Sequence, residues 1–186
     1  EPGDPALYNK LTEALRELVG KALRKEKRLS LGEFGFTGKI MPYGQGMMRD
    51  DAHAAFLRSV AENPDYAALT VDGIQTVSVG DGRAVLLGIS DGQGNGLVGV
   101  SSDVPVSSYA SADGSYSVDE QALAGALHEV SAGYQTFDVS GIGHGADAAV
   151  IACMQQSEEV TGRISRITGI NGEGLSRRYV QNHADD

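Results

Sequence analysis

The residues best suited to chemistry fall in two glycine-rich stretches. DGQGNG, residues 91 to 96, sets Asp91, Gln93 and Asn95 at alternate positions with Gly96 sixth, the spacing with which a loop gathers oxygen ligands for a calcium ion around a sharp turn. The twelfth position is Ser102 rather than a bidentate glutamate, and Asp103 follows one place late. FDVSGIGHGADAAV, residues 137 to 150, carries Asp138 in a strand-like run, then three glycines and His144, then a helical pattern. Glycines at such a turn let backbone N–H groups face an anion at the positive end of a helix, whereas Asp138 would suit a divalent metal. The candidate metal ligands are thus Asp138, Asp91 and Asn95. The candidate ions are Mg²⁺, Mn²⁺ and Ca²⁺, and no organic cofactor is expected.

Cys153 is the sole cysteine, which excludes an intramolecular disulfide and a CxxC-type zinc site. Paired with His128 or His144 it would form a thiolate nucleophile. Its neighbours Val150 and Met154 on a helical pattern point instead to a small buried side chain. His53 follows Asp50 and Asp51, a set that reads more simply as a helix start than as a metal cluster.

Two short segments resemble parts of PP2C-like metal-dependent phosphatases. The run FDVSGIGHG is similar to their strand-to-helix turn, and that likeness implies a metal-binding role for Asp138; here Ile142 and Gly143 stand inserted before His144. VGDGRAVLLG, residues 79 to 88, is similar to another of their strands. In that family the metal motif precedes this strand, and in this chain it follows.

These residues need elements to hold them. Asp4 and Pro5 open a helix expected over about 5–27, with Leu7, Leu11, Leu15 and Leu18 at helical spacing. LGEFGFTGKIM, residues 31 to 41, alternates as a strand, and Asp50 and Asp51 open a second helix. From 66 to 101, short apolar runs are separated by Asp-Gly pairs at 72, 81 and 91, which predicts an antiparallel meander of four strands. RAVLLGI is apolar without alternation and reads as a central strand covered on both faces. Ser117 and Glu120 form a capping box for a third helix over 118–131. YQTFDV is a further strand, and GADAAVIACMQQSEEVTGRISRI a fourth helix. The expected fold is one α+β domain over residues 1–186, an antiparallel β-meander (about residues 66–101) packed with four helices in layers.

Charge bounds the partners. The formal net charge is −10, unevenly spread. Residues 1–50 hold nine Lys or Arg against seven acids, while 51–186 hold six against eighteen, and every lysine lies at or before Lys39. Between Arg83 and Arg163 there is no Lys or Arg but ten acids: Asp91, Asp103, Asp113, Asp119, Glu120, Glu129, Asp138, Asp147, Glu158 and Glu159. Such a surface repels phosphate backbones, which argues against nucleic acid. No apolar run reaches the ~18 residues of a membrane-spanning helix. Because the chain opens at Glu1 without a methionine, a processed form or a fragment is expected. The lone cysteine tilts the compartment towards the cytoplasm, with an exported mature form as the other option. The functional expectation is a non-enzymatic protein-interaction module presenting an acidic surface to a basic partner. The alternative is a divalent-metal-dependent phosphoester hydrolase using Asp138. Oligomeric state is not legible.

Overall fold

The computed structural model describes residues 29–30, 69–109, 117–175 and 177–182. The helix expected over 5–27, the strand over 31–41, the helix opened by Asp50 and Asp51, His53 and the acid Asp113 lie outside the described residues. Those described form six strands and four helices: β1 (Leu29–Ser30), β2 (Thr70–Val79), β3 (Gly82–Ser90), β4 (Asn95–Ser102), α1 (Val118–Ser131), β5 (Thr136–Ile142), α2 (His144–Met154), α3 (Glu158–Thr161), β6 (Ile164–Ile170) and α4 (Arg177–Asn182). A short 3₁₀ turn at Val106–Ser108 follows β4.

The strands make one sheet in chain order, β1 to β6. β1 to β4 pair antiparallel, but β4, β5 and β6 are parallel. The class is therefore α+β as expected, and the sheet is mixed rather than antiparallel. The cause is the pair of helices between these strands: a crossover returns the chain to the end from which it started, so the next strand runs parallel. Both crossovers advance the sheet in the same direction. With the usual right hand, both helices then land on one face, and α1 and α2 pack against each other and across the strands.

The meander has three strands in this stretch, not four. Asp72-Gly73 is not a turn: Val71 pairs with Ile89 and Gly73 with Gly88, leaving Asp72 as the extra residue of a β-bulge within a continuous β2. A Cβ on Gly73 would meet the Val130 side chain of α1 at 3.0 Å, so the glycine lets the strand pass close beneath the helix. The next turn does form, one residue early. Val79 pairs with Gly82, the loop is Gly80-Asp81, and Gly80 takes φ +54, the positive value that the first position of a type II′ hairpin turn requires.

On the helix face, Val77, Val79, Ala84, Leu86, Val98, Val100, Phe137 and Val139 pack with Leu123, Leu127, Val130, Ala148, Ile151 and Tyr179. Val71, Val85, Leu87 and Ile89, which alternate to the other face, are also buried. β3 is thus enclosed on both sides, as its unbroken apolar run implies. The capping box of α1 is present: Ser117 Oγ accepts from Glu120 N at 3.0 Å, and Glu120 Oε2 accepts from Ser117 N at 2.6 Å.

The expected fourth helix stops at Met154. Ser157 caps the separate turn α3, Gly162 ends it, and ISRITGI, rich in β-branched side chains, is strand β6. Among the described residues no helix is long and apolar enough to cross a membrane.

Candidate functional site

The two glycine-rich stretches meet in an unexpected way. Asp91 and Asn95 bracket the β3–β4 loop, and Asp138 is the third residue of β5, which runs parallel beside β4. Leu97 pairs with Asp138 and Asn95 with Thr136. All three candidate ligands consequently line one cleft of about 300 Å³, together with Leu69, Ile89, Gly96, Leu97, Thr136, Phe137 and Ser165. The cleft sits where β3 ends and β4, β5 and β6 begin.

Its polar groups are already engaged. Asp91 Oδ1 accepts from the backbone N–H of Gln93 (2.7 Å) and of Asn95 (3.1 Å), and Asp91 Oδ2 from Asn95 Nδ2 (2.8 Å). Asn95 Oδ1 in turn accepts from the Thr136 hydroxyl at 2.8 Å, which ties the loop to β5. Desolvation pushes the Asp91 carboxyl upward, but the bonds from the Asn95 side chain and the two backbone N–H groups outweigh it and hold the pKa below its ordinary 3.8. Asp138 Oδ2 accepts from Arg166 at 2.9 Å. Arg166 entered no sequence argument because the strand that carries it, β6, is read there as helix.

The calcium-like spacing does not produce a calcium-like loop. Asn95–Ser102 is the strand β4, so the twelfth position stands roughly 23 Å along an extended chain from the fifth, at ~3.3 Å per residue. A calcium loop must instead curl its twelfth residue back onto the ion. Among the described residues no group of three or more His, Cys, Asp or Glu is placed to hold a metal ion.

FDVSGIGHGADAAV likewise divides in two. Asp138 faces the cleft, while the glycine turn lies at the far end of β5, five residues and roughly 16 Å away. There Gly143 caps α2 with φ 57 and ψ −130 and no side-chain capping bond. A Cβ on Gly141 would strike the Gly145 carbonyl, and one on Gly145 the Val100 carbonyl, whereas one on Gly143 would meet open space. A strand, a glycine-flanked residue at positive φ and then a helix is the arrangement that exposes a nucleophilic serine in hydrolases. Here the exposed position is a glycine. The turn presents no side-chain nucleophile, and its outer glycines serve close packing of α2 on β4 and β5.

Around this turn the ionisable groups hold the chain together. Asp147 is buried on α2 and accepts from the backbone N–H of Glu173 and of Gly174, both at 3.0 Å, pinning the segment after β6. His144 Nδ1 stands 3.6 Å from Glu173 Oε1. Cys153 packs against the core at the other end of α2, nine residues or about 13 Å from His144 along the helix, and His128 is exposed on α1. Burial pushes the Cys153 thiol up to about 12, which opposes thiolate formation.

No family model matches the chain, and no curated protein or solved structure matches it either.

Proposed function

We propose that this chain is a non-enzymatic protein-interaction module that offers an acidic surface to a basic protein partner. The observation that carries the reading is the use of Arg163, the first basic side chain after the long acidic stretch. Its guanidinium donates to the Ser131 and Tyr134 carbonyls at 3.0 and 2.8 Å and lies over the Phe137 ring. Gln156 Nε2 donates to the Ala124 carbonyl at 2.9 Å. The residues on either side of α3 are thus both bonded to α1 and its end, and Glu129 of α1 and Glu158 and Glu159 of α3 are all exposed. Two of the ten acids belong elsewhere: Glu120 and Asp147 are buried and structural.

The test is the association rate with an immobilised lysine-rich peptide of alternating Gly and Lys. Raising salt from about 50 to 300 mM shortens the screening length from roughly 14 to under 6 Å, so association should slow strongly. Glu129→Gln, Glu158→Gln and Glu159→Gln combined should imitate salt. Rates unchanged in both experiments leave the charge to solubility alone.

A second reading, a divalent-metal-dependent phosphoester hydrolase, draws support from the meeting of Asp91, Asn95 and Asp138 in one cleft. Calorimetry with Mg²⁺, Mn²⁺ and Ca²⁺, followed by turnover of p-nitrophenyl phosphate, tests it. A stoichiometric heat abolished by Asp138→Asn would support it, and no heat with any of the ions would remove it.

A further inference from the structure

Resting on the interaction reading, we infer that the cleft at the starts of β4, β5 and β6 seats a single lysine side chain of the basic partner. Three features select that occupant. The cleft holds about 300 Å³, at the lower limit of small-ligand pockets: room for one long side chain and not for a folded segment. Its lining is divided by chemistry. Leu69, Ile89 and Leu97 form its apolar side, and the carboxylates of Asp91 and Asp138 stand among its polar groups. An amphipathic side chain with a hydrocarbon stem and a cationic head matches that division.

The remaining acceptor capacity distinguishes lysine from arginine. Asp91 has both oxygens engaged by its own loop, and Asp138 has Oδ2 engaged by Arg166. On neither carboxylate would a guanidinium fork find two oxygens free of other donors, since on Asp138 it would share Oδ2 with Arg166. A carboxylate accepts about four bonds in all, which leaves about one direction on Asp91 and three on Asp138, two of these on Oδ1. A compact ammonium with three freely rotating donors uses such directions, because it binds as a point charge. Among the described residues the two carboxylates of the cleft outnumber the Arg166 guanidinium beside them, a balance that favours a cation.

The experiment is an amide-resolved NMR titration in low salt with the peptide Gly-Gly-Lys-Gly-Gly, capped at both ends, and with its arginine, norleucine and Nε-acetyl-lysine counterparts. The lysine peptide should shift the amides of Gln93, Asn95, Thr136 and Asp138. Arginine should bind several-fold more weakly, and the two uncharged peptides at least tenfold more weakly. Asp138→Asn and Asp91→Asn should each weaken lysine binding about tenfold, with the unperturbed parts of the spectrum reporting that the fold is intact. Arg166→Gln, which removes the competing cation, should strengthen lysine binding several-fold; a role confined to folding would not produce that gain. Equal binding of norleucine would overturn the inference in favour of a purely apolar pocket. Shifts confined to Glu129, Glu158 and Glu159, indifferent to the Asp91 and Asp138 variants, would overturn it while sparing the acidic-surface reading. No shift anywhere, together with salt-independent association, would remove both. Displacement of the peptide by one equivalent of Mg²⁺ would reassign the cleft to a metal.

Discussion

Asp91 shows how a residue chosen for one chemistry can be occupied by another. Its carboxylate takes three bonds from its own loop and is held below its ordinary pKa. A carboxyl with a depressed folded-state pKa adds stability above the unfolded value near 3.8, and that contribution disappears as pH falls through the lower folded value. A carboxyl-detected NMR titration should therefore place the Asp91 midpoint below 3.8, and Asn95→Ala should move it upward. Cys153 gives the opposite case. With its thiol pushed up to about 12 by burial, alkylation by iodoacetamide at pH 7.4 should be at least about a hundredfold slower than in the urea-unfolded chain. Cys153→Ala should cost roughly 1 kcal/mol through a small cavity. Labelling of the native protein at the unfolded rate would restore it as a nucleophile candidate.

At the scale of elements, the glycines of the β5–α2 turn differ in what they tolerate. Gly145→Ala forces a Cβ against the Val100 carbonyl of the adjacent strand; backbone cannot rotate away, and urea unfolding should show a loss of roughly 3 kcal/mol or more. Gly143→Ala meets no atom and bears only the strain of a positive φ, about 1–3 kcal/mol. Gly125→Ala, on the exposed face of α1 with nothing near, should stabilise by roughly 0.5–1 kcal/mol. Much of this layer could be read in advance because local signals were complete: Ser117 and Glu120 announce α1 to the residue, and the unbroken RAVLLGI announces an enclosed strand. Three features could not be read. Val160, Ile164 and Ile167 recur at helical spacing, which hides a strand whose β-branched residues were the better guide. Asp72-Gly73 has the composition of a turn, and only pairing against β3 reveals a bulge. The cleft depends on β4 lying beside β5, a pairing between residues about forty positions apart that no local pattern encodes.

Across the whole molecule, the C-terminal segment returns to lock the first crossover. Tyr179 of α4 donates a hydrogen bond to Glu120 Oε1, in a carboxylate that is fully buried. Tyr179→Phe strands that acceptor away from water and should cost about 1–3 kcal/mol, lowering the melting temperature by some degrees at roughly 2–4 °C per kcal/mol for a chain of this size. An unchanged melting curve would show that α4 does not brace α1. The sheet also keeps its two notable ends apart, with the cleft where β5 begins and the glycine turn where it finishes. That separation gives the bare Gly143 position a consequence in heredity. A single base converts a GGC glycine codon into an AGC serine codon, and the hydroxyl gained would project into open space from a backbone already bent to display it. Where Gly143 is encoded by GGC or GGT, this joint is one letter from displaying a serine.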